Sequence, residues 1–195
     1  MCAPLLVQLN PGGSLCTFQH RTLLPSDGAC EGETFSEVTA GASVIEPGSP
    51  GSWWFHISVP EDLAESWRNS ANKQQVIAEA ELFPVLLCRA MAVKPLKTML
   101  AVHYVDNDGV ADGLIRGMSP VESLRDMLYE FALQESACNF ISWIARVASA
   151  SNPGDALSRT KVMPEDGLDR GFDRSAEALT VSNTLAQLLI KRRAQ

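Results

Sequence analysis

The chain is poor in the features that mark secreted, zinc-holding or membrane-spanning proteins. Its five cysteines, Cys2, Cys16, Cys30, Cys88 and Cys138, are scattered and odd in number, and they form no Cys-x-x-Cys pair. That argues against a disulfide framework or a zinc site and for a reducing, intracellular compartment, cytoplasmic or nuclear. No apolar run approaches the ~18–20 residues a spanning helix needs, so no membrane segment is expected. The N-terminus lacks a basic stretch followed by an apolar core, so no secretory signal is expected. A basic surplus is also missing: 16 Lys and Arg stand against 23 Asp and Glu, a net charge of −7. A nucleic-acid-binding protein usually shows a basic face. Such a role here needs a local basic groove, or a metal ion that neutralises the acids.

What is present fits a folded α/β domain. The 195 residues are 46% apolar and 20% charged, enough for one domain with a real core. Residues 1–20 are poorly patterned and read as an N-terminal extension, with residues 1–10 resembling the edge of a longer polyprotein or gene model. Residues 21–160 carry the domain, 161–174 read as a polar linker, and 175–195 read as a C-terminal amphipathic helix. In that helix Leu179, Val181, Leu185, Leu188 and Leu189 form the apolar set, and Lys191-Arg192-Arg193 form a solvated basic end suited to the helix dipole.

Within the domain the pattern runs strand, strand, strand, helix, strand, helix, helix, strand. Leu23-Leu24 leads into Asp27-Gly28, which by itself is a turn signal. Ala40 to Ile45 and Trp53 to Val59 read as two further strands, the three together an antiparallel meander with a turn cluster at 47–51. A short helical turn is expected over 60–67. A helix is expected over 73–93, kinked at Pro84 or starting near Glu81, because proline removes the bond back to Ala80. Met99 to Val105 reads as a fourth strand and Phe140 to Val147 as a fifth. Between them lie a short helix from Val110 to Arg116, ended by Gly117, and a second helix opened by Ser119-Pro120-Val121-Glu122. The whole is a five-stranded mixed sheet, its first three strands antiparallel, flanked by helices.

The acids fall at informative places. Asp27 follows the first strand, Glu81 lies on the main helix, Asp106 ends the fourth strand, and Asp155 follows the fifth. Glu79 and Glu81 are about 200° apart on a helix, so only one can face the site, and Glu81 belongs to the longer apolar segment. Four converging carboxylates repel one another unless a cation sits among them. Oxygen ligands of this kind suit Mg²⁺ or Mn²⁺, and pairs of such ions serve phosphodiester hydrolysis.

Three stretches also carry a family resemblance: Ile77-Ala78-Glu79-Ala80-Glu81-Leu82-Phe83-Pro84-Val85-Leu86, Tyr104-Val105-Asp106-Asn107, and Asn152-Pro153-Gly154-Asp155-Ala156-Leu157-Ser158-Arg159. Over roughly residues 23–160 the chain resembles the ribonuclease H domain of retrotransposon reverse transcriptases of the DIRS-like and Gypsy-like type. The resemblance implies a ribonuclease H-like fold, with Asp27, Glu81, Asp106 and Asp155 as catalytic and metal-binding acids for two divalent ions. It implies cleavage of the RNA strand of an RNA–DNA hybrid, and a polymerase domain in the same polyprotein as partner. Arg146, Arg159 and Asn107 are candidate nucleic-acid-binding residues, the two arginines as phosphate contacts, and Asn107 is also a candidate for ordering the loop after Asp106. His103 reads as a strand residue facing a neighbouring element. Two other readings compete: a catalytically decayed remnant or connection module with a structural or nucleic-acid-binding role, and a DNA-cutting relative of the integrase, transposase or resolvase kind.

Overall fold

The computed structural model describes residues 21–46, 52–71, 73, 75–92, 100–137, 141–159 and 175–193, with the two-residue strands Leu6–Val7, Cys16–Thr17 and Phe172–Asp173. The turn expected at 47–51 and most of 1–20 and 161–174 lie outside the described residues. Five strands form the body of the sheet: β1 (Arg21–Glu31), β2 (Glu37–Val44), β3 (Trp53–Ser58), β4 (Leu100–Val105) and β5 (Ile141–Arg146). Their order is β5-β4-β1-β2-β3, with Phe172–Asp173 added beside β3. β1, β2 and β3 pair antiparallel, and β4 and β5 continue from β1 in parallel. The mixed sheet is the expected one. β1 is central and β4 lies beside it.

β1 differs from its expected form. It does not stop before Asp27-Gly28 but runs through both to Glu31. Its first half, Arg21 to Pro25, pairs with β4, and its second half, Ser26 to Glu31, pairs with β2. Pro25 stands at the changeover, where a residue without an N–H costs the ladder least.

The reason a turn dipeptide lies in a strand is tertiary. A Cβ on Gly28 would sit 2.2 Å from the carbonyl carbon and oxygen of Ala80. That carbonyl belongs to α2 (Ile77–Ala92), which carries Pro84 in its interior. Pro84 has no N–H to offer it. The helix irregularity and the missing side chain therefore meet at one point, and the helix lies against the strand there.

α2 is buried on nearly every side, as an almost wholly apolar helix must be. It packs on β1 and β2, with α4 (Glu122–Ala137) and α6 (Ser175–Arg193) beside it. α1 (Glu61–Ala71) is longer than the expected turn, and its Trp67 meets Phe83 edge-on at 5.7 Å. α3 (Asp108–Arg116) follows β4 and ends at Gly117. α4 begins at Glu122, later than the serine-proline pattern indicates, and Ser119 Oγ accepts from the Val121 N–H.

α6 has the expected bounds but another buried face. Ala178, Ser182, Leu185, Ala186 and Leu189 are buried, while Leu179 and Leu188 are exposed. Small residues are needed where it crosses α1 and α2. Its basic end is not simply solvated. Arg192 pairs with Glu130 at 2.7 Å, and Arg193 pairs with Asp126 at 3.2 Å and donates to the Ser66 carbonyl at 2.6 Å.

Candidate metal centre

Strand alternation aims Asp27 and Gly28 at opposite faces of the sheet. Gly28 faces α2. Asp27 lies in register with Gly41 and His56, on the face where the four-residue helix α5 (Asp155–Ser158) docks. Glu81 comes from the first turns of α2, and Asp106 is the residue after β4. One carboxylate oxygen from each of Asp27, Glu81 and Asp106 lies within 4.8 Å of the other two. Three of the four expected acids therefore come together.

Two of these acids are buried and Asp106 is half-buried. Asp27 is 5% exposed and Glu81 8%. No donor among the described residues reaches Glu81 Oε2 or Asp106 Oδ1. Burial pushes the Asp27 carboxyl up from 3.8 to about 7, opposed by the Ser158 hydroxyl and reinforced by the charges of Asp106 and Asp155. Burial, and then the charge of Asp106, push Glu81 up from 4.5 to about 8, with the Asn107 amide opposing. Buried acids without a counter-charge favour their neutral form, and a cation among them would reverse this. Orphaned buried carboxylate oxygens in an all-oxygen set fit a hard divalent ion.

Two side chains orient the triad. Ser158 Oγ donates to Asp27 Oδ2 at 2.5 Å. Asn107 Nδ2 donates to Glu81 Oε1 at 3.3 Å, while its Oδ1 accepts from the Val110 N–H and caps α3. Asn107 is thus engaged inside the protein. Glu79 is fully buried and points elsewhere, to Ser123 Oγ at 2.6 Å and Lys73 at 3.2 Å. The choice of Glu81 over Glu79 agrees with this geometry.

Asp155 stands apart from the triad. Its Oδ1 is 2.5 Å from Arg159 Nη2, and Arg159 Nη1 lies 3.5 Å from Glu31. The helix that carries it is nevertheless fixed firmly. Thr39 donates to the Ser158 carbonyl, His56 Nδ1 donates to the Leu157 carbonyl at 2.7 Å, and Asn152 Nδ2 donates to the Ser26 carbonyl at 3.0 Å. A Cβ on Gly41 would lie 2.1 Å from the Leu157 oxygen, so β2 admits α5 only with glycine there. Ser158, Thr39 and His56 were not expected at the site. For Ser158 the signal is its position three residues after Asp155 in the closing motif. For Thr39 and His56 the sequence carries none.

Arg146, proposed for phosphate contact, pairs with Asp108 at 2.8 Å. His103 is fully buried near Arg89 and Phe131. Burial, and then the Arg89 charge, lower it from 6.5 to about 3, so it is a neutral core residue. Arg89, also buried, pairs with Glu135 at 2.9 Å and lies 4.6 Å over the Phe131 ring. Asp108 opens the helix after β4, two residues before the expected start at Val110.

No protein-family model matches the chain, and no curated protein matches it. Solved structures do. RNase H1 from the halophilic archaeon Halobacterium salinarum matches with a TM-score of 0.52 at 16% identity, over 70% of this chain and 93% of that one. The N-terminal RNase H domain of a Mycobacterium tuberculosis protein matches at 0.42 and 15% identity, over 86% and 99%. The protease-reverse transcriptase of prototype foamy virus matches at 0.40 and 12% identity, over 88% of this chain and 21% of that one. Strand order, strand direction and the first of these likenesses agree: the chain has the ribonuclease H-like fold.

Proposed function

We propose that the chain is a divalent-metal-dependent endonuclease that cuts the RNA strand of RNA–DNA hybrids, as the ribonuclease H domain of a retroelement reverse transcriptase acting inside the cell. The observation that carries the reading is the convergence of Asp27, Glu81 and Asp106, with two of their oxygens left without a donor. Asp27, Glu81 and Asp106 would hold Mg²⁺ or Mn²⁺, and Asp155 would complete a pair of sites. When bound, such ions activate water and stabilise the leaving oxygen of a phosphodiester.

The protein's own residues do the rest. Ser158 fixes the rotation of the Asp27 carboxylate, and Asn107 fixes that of Glu81. β1 and α2 wall the acids from water on one side, so any charge placed among them is felt strongly. The closing motif, Asn152 to Arg159, supports the retroelement assignment. Its Asn152 and Ser158 tie α5 to the backbone of β1 and to Asp27, while Asp155 and Arg159 pair with each other.

A cleavage assay on labelled RNA–DNA hybrid, duplex DNA and duplex RNA with Mg²⁺ tests the substrate class. The expected result is cutting of the hybrid in preference to both duplexes. Cutting of duplex DNA instead would move the chain to the integrase and transposase kind of function.

A further inference from the structure

We infer that Arg159 holds Asp155 in reserve as a built-in counter-cation, so that the centre fills in two unequal steps, the triad first and the Asp155 side only after Arg159 lets go. The inference rests on the metal-centre reading above and concerns how that centre is loaded.

Four observations meet here. Asp155 and Arg159 lie one helical turn apart, with Oδ1 and Nη2 at 2.5 Å. The other arm of the guanidinium reaches toward Glu31 at 3.5 Å, so Arg159 bridges two acids rather than one. Asp155 acts on Asp27 through its charge, yet it does not join the cluster formed by Asp27, Glu81 and Asp106. The backbone beneath the pair is immobilised by Thr39, His56 and the Gly41 contact.

Only side-chain rotation is therefore left to bring Asp155 to the triad. Both partners have room for it, since the Asp155 side chain is 34% exposed and that of Arg159 51%. An ion pair this exposed opens at small cost. While closed, it cancels the negative charge that a second cation would seek. Among the described residues no ion pair engages a triad acid, and Arg159 acts on Asp27 through its charge alone, so the triad offers the stronger first site.

Manganese titrations of the full chain, read from the electron paramagnetic resonance signal of free Mn²⁺, test this. Wild type is expected to show one tighter and one weaker step. Arg159→Gln is expected to strengthen the weaker step by about fivefold, the upper end for an exposed pair, and to leave the tighter one unchanged. Arg159→Lys, which keeps the charge without the fork, is expected to fall between. Asp155→Asn is expected to lose the weaker step alone. A second step that emerges only in Arg159→Gln would also support the proposal. If the second step in Arg159→Gln is unchanged, weakened or still absent while the first is intact, the proposal is overturned and the metal-centre reading stands. If wild type shows no tight step, or Asp106→Asn leaves that step untouched, the metal-centre reading itself fails. Thermal melts of each variant confirm folding.

Discussion

The hydroxyl of Ser158 donates to Oδ2 of Asp27 across 131 positions of sequence, tying the helix that bears Asp155 to the central strand. Ser158→Ala removes the donor and leaves a buried carboxylate oxygen unsatisfied. At pH 8, where Asp27 is largely ionised, the expected loss is about 1–3 kcal/mol in a urea titration. The Asp27 carboxyl, followed by its carbon chemical shift, is expected to titrate above its present value of about 7. An unmoved titration would show that the contact is not made in solution.

The raised carboxyls set a pH dependence whose sign follows from proton counting. Asp27 and Glu81 hold protons in the folded state up to about 7 and about 8, whereas unfolded they release them near 3.8 and 4.5. The folded state therefore binds more protons in that interval, and stability falls as pH rises through it. His103 acts in the opposite sense below 6.5, because only the unfolded chain protonates it there. The clean window is thus from about 6.5 to 8. Without divalent ions, thermal midpoints are expected to drop across this window. Mg²⁺ at 100 times its dissociation constant is expected to restore about 2.7 kcal/mol at pH 8. A flat profile with no response to Mg²⁺ would contradict the picture.

Neutralising one acid should stabilise the empty protein and spoil the site. Glu81→Gln keeps the shape of a buried side chain and removes a charge repelled by Asp106 and Asp27. Its midpoint at pH 8 without metal is expected to exceed that of wild type by several degrees, on the order of 1–2 kcal/mol. Its gain on adding Mg²⁺ is expected to vanish. Differential scanning calorimetry with and without Mg²⁺ reads both effects.

Gly28→Ala probes the meeting of strand and helix. The new methyl would overlap the Ala80 carbonyl, which is backbone and cannot swing away. The expected cost is about 3 kcal/mol, at the top of the range for overpacking. Since Glu81 is the next residue after Ala80, the stabilisation by Mg²⁺ should shrink as well. A variant with full stability would mean that α2 lies farther from β1.

The parts of the fold that were legible from sequence are those governed by local pattern. The aromatic run at Trp53–Ser58, the apolar run at Leu100–Val105 and the helix Ser175–Arg193 were all readable, because a strand or helix periodicity specifies each. Asp27-Gly28, by itself a turn signal and expected to follow the first strand, lies inside β1. Its conformation is decided by Ala80, more than fifty residues away, and no local rule contains that contact. Leu179 and Leu188 were misassigned to the buried face of α6, since hydrophobicity alone does not show that a crossing helix selects Ala178, Ser182 and Ala186. In the site, the order of the acids was legible. The pairing of Asp155 with Arg159 was not separable from a phosphate-binding role, because one residue type serves both.

The metal-dependent ribonuclease activity proposed for this chain depends on the triad. It is tested most directly with a hybrid labelled on its RNA strand, incubated with Mg²⁺ and either wild type or Asp106→Asn. Wild type is expected to cut the labelled strand, chelating the Mg²⁺ to stop it, and Asp106→Asn to leave the RNA intact while remaining folded. An uncut RNA with wild type, or equal cutting by Asp106→Asn, would contradict it.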